Sequence, residues 1–400
     1  MRGARAIAAL VFGLVSYAAE AQQRPLKVGV LTDMTGILSS ALGTGSVDAA
    51  RMAIADFGGE MFGRPIEFVY ADHQNKPDIG ATIVRRWFDE DGVDMIADIG
   101  NSAVALAVRE LVVSKNRVAL FVGASSSDLT GKACSPNTAQ WSHDSYLFAS
   151  ALPKKLIAEG KKSWFLMVQD WAFGHALQRD VTANVQAAEG KVVGSVRHPA
   201  GSADYSSLLL QAQGSGANVV AFLSAVQDLS NSIKQAREFG VGRDGKQILV
   251  APAFLLSDAH GVGLEAAQGI TFSTVWYWNM NPAARAWSMG FFARNKFMPA
   301  EAHAGTYSAV SHYLKAVKAV GTTDPKAVMK QMRQEKVVDF FQDDAWLRED
   351  GRLMRRAYVA QMKSPSESKE PWDYYKLLTA IPPEEGFRPA SERACPLDQK

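Results

Sequence analysis

Apolar and polar positions fall into blocks along the chain. Short apolar runs closed by Gly, Asn, Asp or Ser have the pattern of strands buried on both faces of a parallel sheet. They occur at 26–32, 65–71, 93–99 and 118–122. Between them lie stretches with apolar residues three and four apart, the spacing of a helix with one buried face. These predict helices at 46–57, 77–88 and 103–114, the first stopped by Gly58-Gly59 and the second opened by Pro77. The succession βαβαβαβ predicts a parallel sheet with helices on both faces.

A largely helical stretch at 141–159 starts a second unit. Strands are predicted at 162–169, 191–197, 218–224, 247–251 and 270–275, with helices at 173–188, 202–213 and 228–239. Three helices follow at 282–295, 303–320 and 325–335 without strands of their own. The chain is therefore expected to return to the first unit after Val275. Stretches 356–363 and 374–379 read as a late pair of strands. Two α/β lobes without a flexible linker are the expected architecture.

The first 21 residues stand outside this pattern. Arg2 and Arg5 precede an apolar stretch at 6–17, and Ala19-Glu20-Ala21 gives a small-x-small cleavage pattern, so a secretory leader cut before Gln22 is expected. No later stretch reaches the roughly 20 apolar residues of a membrane helix. Among 400 residues, 47% are hydrophobic and 21% charged, and the net charge of +2 argues against a nucleic-acid partner. Export changes the reading of the two cysteines. Cys134 and Cys395 lack metal-ligand spacing, and in an oxidising compartment they are expected to form one disulfide. Closing so long a loop stabilises by at most about 5 kcal/mol.

Candidate chemistry is sparse. Gly43-Thr44-Gly45 lacks the third glycine of a dinucleotide loop and lies well past its strand. None of the seven histidines pairs at the i, i+4 spacing of a helical zinc site. No serine sits in a G-x-S-x-G elbow. No metal, cofactor or catalytic residue is expected. The stretch Val118 to Thr130 is more informative: a buried strand runs into Gly123, Ala124 and Ser125, then two more serines and Asp128. Small residues at a strand's carboxyl end let a ligand reach main-chain N–H groups, and serine adds hydroxyl donors. A cradle for a carboxylate and a self-solvated serine turn both fit this segment. Aromatic residues gather near strand ends of the second unit, among them Phe173, Phe254 and Trp276. Core packing and a ligand pocket both account for them.

In order and spacing, several segments resemble exported solute-binding proteins of ABC transporters, of the leucine/isoleucine/valine-binding type. They are K-V-G-V-L-T-D-M-T-G at 27–36, D-G-V-D-M-I at 91–96, V-G-A-S-S-S-D-L-T at 122–130, Q-D-W-A-F-G at 169–174, S-I-K-Q-A-R-E-F-G at 232–240 and A-G-T-Y-S-A-V at 304–310. The resemblance implies two doubly wound α/β lobes joined by three crossover segments. Lobe 1 would comprise 22–140 and 271–345, lobe 2 141–270 and 346–384, with a tail at 385–400 tied back by the disulfide. It also implies a carboxylate site at Asn101 or Ser102 with Gly123, Ala124 and Ser125, covered by Phe173. In amino-acid binders of this type an acid for the ammonium follows the strand near 247–251; here Ala253 and Phe254 stand in that loop. The tail motifs at 364–376 and 394–397 resemble members associated with aromatic acids. The expectation is a monomeric periplasmic receptor, not an enzyme, that delivers an aromatic carboxylate to an inner-membrane ABC permease. A branched-chain amino acid or amide receptor of the same family is the alternative, and an enzyme on a two-lobed scaffold the more distant one.

Overall fold

The computed structural model describes residues 24–242 and 245–399. The leader expected at 1–21 and its cut before Gln22 lie outside them. Strands β1 (Lys27–Thr32), β2 (Glu67–Asp72), β3 (Met95–Asp98), β4 (Val118–Phe121) and β5 (Thr138–Gln140) form one sheet in the order β2-β1-β3-β4-β5. All its pairings are parallel. Successive side chains of β1 point to opposite faces, so Val28 and Val30 pack with Val47, Ala50 and Ile54 of helix α1 (Gly43–Phe57). Leu31 faces the other way, into a core with Val84 and Trp87 of α2 (Pro77–Asp89) and Val104 and Val108 of α3 (Ser102–Ser114). Two covered faces explain why β1, β3 and β4 read as unbroken apolar runs, whereas the edge strand β2 is only partly buried. The short, partly polar β5 carries no such signal and was not predicted.

The second sheet contains β6 (Ser163–Gln169), β7 (Lys191–His198), β8 (Val219–Leu223), β9 (Ile248–Ala253), β10 (Thr271–Thr274), β11 (Ala357–Met362) and β12 (Tyr375–Ile381). Their order is β12-β11-β10-β9-β8-β6-β7, parallel from β7 to β10 and antiparallel at β11 and β12. Helices α4 (Ser145–Ala158), α5 (Ala172–Ala187), α6 (Ser206–Gly214) and α7 (Val226–Glu238) belong to it. The sequence reading ended β9 at Ala251, before Pro252. The strand continues because its register with β10 slips between Val250 and Ala253, where a residue without an N–H is tolerated. Two short helices, α8 (Leu256–Val262) and α9 (Leu264–Ala267), were not predicted.

Two lobe boundaries need correction. β10 pairs within the second sheet, so the return to the first lobe follows Thr274 and does not begin at 271. There α10 (Pro282–Asn295), α11 (Glu301–Val320) and α12 (Pro325–Gln334) follow, and α11 packs along α1. The hairpin of Trp346–Leu347 and Leu353–Met354 packs on α12, and Arg352 bridges to Gln140 of β5. Residues 346–354 thus stay with the first lobe, and the second resumes at β11. The chain crosses between lobes three times, at 141–144, 275–281 and 355–356.

Beyond β12, α13 (Pro383–Gly386) rests on α4 of the second lobe. Cys395 is then bonded to Cys134 of the first, 261 residues away, with Cα atoms 5.6 Å apart. Among the described residues, no helix is long and apolar enough to cross a membrane.

Candidate functional site

In an open parallel sheet a crevice opens at the carboxyl ends of the strands where their order reverses. The first sheet reverses between β1 and β3, the second between β6 and β8. The two reversal points face each other across a cavity of about 310 Å³. This is the small end of the roughly 300–1,000 Å³ usual for small-molecule sites. The loops after β1, β2, β3 and β4 line one side, and those after β6, β7, β8 and β9 the other.

On the first-lobe side, Ile37, Leu38, Ala41 and Leu42 come from the loop after β1. The buried Asp33 carboxylate shapes that loop by accepting from the amides of Gly36 at 2.7 Å and Leu38 at 2.8 Å. After β3 the backbone takes two left-handed residues in succession, Asp98 (φ 74°) and Ile99 (φ 54°). For a β-branched residue such as Ile99 this is a costly conformation, of the kind that clusters at functional sites. Gly100 and Gly123 then pass close together: a Cβ on Gly123 would lie 2.9 Å from Gly100 Cα and 2.7 Å from Leu42 Cδ2. Asn101 caps α3, its Oδ1 accepting from Ala103 N at 2.8 Å and Val104 N at 3.2 Å. Ser102 Oγ accepts from Ser126 N at 3.1 Å, which joins the α3 turn to the serine loop.

The three serines divide the work. Ser125 lines the cavity, and its hydroxyl donates to Gly123 O at 3.1 Å. Ser126 Oγ accepts from Asp128 N at 3.3 Å. Ser127 turns across to α5, where its hydroxyl donates to Asp180 Oδ2 at 2.7 Å; Arg388 of the tail donates to Asp180 Oδ1, also at 2.7 Å. Gly123 N is spent on Asp98 O at 3.3 Å. Among the described residues, the amides of Ser102 and Ser125 have no acceptor. Both belong to residues that line the cavity, so they are main-chain donors open to a ligand.

The second-lobe side is apolar. Trp171 and Phe173 meet edge to face at 6.2 Å, and Phe173 meets Phe148 in the same way at 6.3 Å. Ala200, Ala225, Val226, Ala253 and Leu255 complete this wall. Val226 is a second β-branched residue held left-handed, at φ 52°. Trp171 Nε1 is buried and has no partner among the described residues. Asp258 stands behind the wall with its carboxylate turned to the amide of Leu255 at 2.7 Å. Burial pushes that acid up to about 7, and burial does the same to Asp98 behind the first wall. Neither reaches the cavity, and no residue lining it is an acid, a lysine or an arginine.

The crossovers meet beside the cavity. Glu301 of α11 accepts from Thr274 Oγ1 at 2.8 Å, from Val275 N at 3.2 Å, and is bonded to His143 Nδ1 on the first crossover. Arg352 donates to Ser142 O at 2.5 Å, and Arg355 of the third crossover donates to Val275 O at 3.1 Å. Burial, with Arg352 and Arg355 nearby, pushes the His143 imidazole down to about 3, so it is neutral.

Of the residues singled out from sequence, Asn101, Ser102, Gly123, Ser125, Phe173 and Ala253 line the cavity. Ala124, Phe254 and Trp276 do not. Successive residues of an extended segment alternate sides, so Ala124 faces the core between Gly123 and Ser125, and Phe254 does so between Ala253 and Leu255, against Phe272 at 5.2 Å. Trp276 is wedged among Trp287, Phe340 and Phe341, where it fixes the second crossover. Trp278 Nε1 likewise donates to Trp372 O at 2.9 Å. The sequence reading missed the loop at 37–42, Asn75, His143, Ala200 and the Ala225-Val226 turn. Only the strand order could have pointed to most of these.

Comparison with known proteins agrees with this architecture. A family model described as periplasmic binding protein matches residues 25–369. A Brucella abortus protein named Leu/Ile/Val-binding protein homolog 6 is 25% identical over 62% of this chain, and the match spans 63% of that relative's length. A periplasmic binding protein from Burkholderia mallei superposes with a TM-score of 0.90 at 42% identity, covering 93% of this chain and 99% of the other. A Burkholderia xenovorans structure, titled as a branched chain amino acid ABC transporter periplasmic ligand-binding protein, gives a TM-score of 0.85 at 38% identity over 93% and 100%. The fold is shared more distantly by a Rhodopseudomonas palustris solute binding protein solved with benzoate (TM-score 0.82, 18% identity, 93% and 99% covered). With two lobes, three crossovers and a cavity at the paired reversal points, the chain belongs to the periplasmic binding protein family.

Proposed function

We propose that the protein is a non-enzymatic, monomeric receptor of the periplasm that captures an aromatic carboxylate between its lobes and hands it to an inner-membrane ABC permease. The observation that carries this reading is the cavity lining: aromatic rings on one side, uncharged donors on the other, and no carboxylate, lysine or arginine among the lining residues. The carboxylate meets the Ser102 and Ser125 amides at the amino end of α3, where the helix dipole favours an anion. Hydrogen bonds to a charged partner contribute roughly 1.5–3 kcal/mol each. An α-ammonium group would be buried without a counter-charge, at a cost of several kcal/mol. A flat ring against Phe173, Phe148 and Trp171 gains apolar burial and edge contacts instead.

The names of two relatives favour a second reading, a branched-chain amino acid. A thermal-shift screen of benzoates, phenylpropanoids, leucine, valine and short amides at equal concentration separates the two. A ligand present at about 100 Kd stabilises by about 2.7 kcal/mol. An aromatic acid is expected to give the clear shift. A shift with leucine or valine and none with any aromatic acid overturns the proposal.

A further inference from the structure

His143 lines the cavity, yet the proposed carboxylate and ring contacts leave it without a role. Its ring is 2% exposed and packs on Phe148 at 4.6 Å. Nδ1 is held by Glu301, which also takes the Thr274 hydroxyl and the Val275 amide. The Thr274 hydroxyl and the Val275 amide both donate to Oε2, which leaves Oε1 as the acceptor for a proton on Nδ1. The imidazole is neutral, for the reasons given above. In that tautomer Nε2 bears a lone pair and can only accept. Nε2 makes no hydrogen bond to any described residue. Glu301 is not part of the cavity wall and the imidazole is, so the ring edge turned to the cavity is the one away from Nδ1.

A buried acceptor facing the pocket calls for a donor. The lone pair repels carboxylate oxygens and leaves them to the Ser102 and Ser125 amides. A polar hydrogen on the body of the ligand is what it fits. We propose that His143 is a specificity-determining residue whose Nε2 accepts a hydrogen bond from a hydroxyl on the ring of the ligand, making the cargo a hydroxylated aromatic acid. This rests on the aromatic-acid reading above.

The test is calorimetric titration of the whole protein with benzoate and with 2-, 3- and 4-hydroxybenzoate. At least one hydroxybenzoate should bind about ten-fold or more tighter than benzoate, because a site built around a ligand hydroxyl discriminates against the analogue that lacks it. His143→Asn keeps a short N–H for Glu301 and removes Nε2. In it the hydroxyl preference should shrink to about two-fold or less. Should that variant fail to fold, histidine ¹⁵N spectra of the wild type supply the same reading. The Nε2 resonance of His143 should move with the preferred hydroxybenzoate and stay with benzoate. Equal binding of benzoate and every hydroxybenzoate, a preference that survives in His143→Asn, or an Nε2 resonance indifferent to the hydroxyl overturns the assignment while leaving the aromatic-acid reading intact. Binding of none of the four acids removes the assignment, and the thermal-shift screen with phenylpropanoids then decides the aromatic-acid reading.

Discussion

The two walls of the cavity are made in the same way and finished differently. Each is a set of loops at the carboxyl ends of parallel strands, at the reversal of strand order, with one β-branched residue forced left-handed, Ile99 on one side and Val226 on the other. Each has a buried carboxyl behind it, Asp98 and Asp258. What differs is the loop residues. The first wall ends in Asn101, Ser102, Gly123 and Ser125 around the start of a helix, and the second in Trp171, Phe173, Ala225, Ala253 and Leu255. The fold thus supplies two equivalent crevices, and a few side chains line one with amide and hydroxyl groups and the other with apolar ones. A change to those side chains should alter binding while leaving the lobes standing.

The largest effect is expected from giving the second wall a charge. In Ala253→Asp an unpaired carboxylate would face the ring of the ligand, and aromatic-acid binding should fall by about 1,000-fold or more. Calorimetry on a sample whose melting curve remains cooperative checks this, and retained affinity would mean the wall is not in contact. Phe173→Ala removes the ring that both Trp171 and Phe148 meet. Lost burial and aromatic contact amount to roughly 2–3 kcal/mol, so affinity should drop about 50-fold. Ser125→Ala should cost less, about ten-fold at most, because its hydroxyl is engaged with Gly123 O and must rotate to reach the ligand, while the melting temperature without ligand stays put. An unchanged Kd would assign the donation to the Ser125 amide alone.

The smallest effect concerns stability. Burial raises Asp98 to about 7, well above its unfolded value, so the folded state holds a proton that the unfolded chain releases. The stability it contributes is present below about pH 4 and is lost as pH rises through 7. Asp98→Asn, which mimics the protonated acid, should therefore raise the melting temperature by a few degrees at pH 8 and hardly at all at pH 4. An equal shift at both pH values would show that Asp98 titrates normally.

Legibility in the sequence followed the physics of each element. Strands buried on both faces announced themselves as apolar runs, and every such run became a strand. β5 and the hairpin at 346–354 did not, since so few residues carry no period. The serine loop and Asn101 were legible because small and hydroxyl-bearing residues after a buried strand are otherwise wasteful. Phe254 and Trp276 were misplaced for a different reason. An aromatic at a strand end faces core or cleft according to the parity of a single position, and Pro252 with its slipped register sits just before Phe254. The loop at 37–42 and the Ala225-Val226 turn join the wall only because of where β1 and β8 fall in their sheets. No periodicity encodes that placement.

The bond from Cys395 to Cys134 makes the backbone between them a closed ring. All three crossovers, at 141–144, 275–281 and 355–356, lie inside it. Severing any one of them opens the ring without separating the pieces. A protease that nicks a single crossover should therefore leave a molecule of unchanged mass on a non-reducing gel, and two fragments appear only once the disulfide is reduced. The two lobes are held by four covalent connections, and the fourth is the only one that a reductant can open.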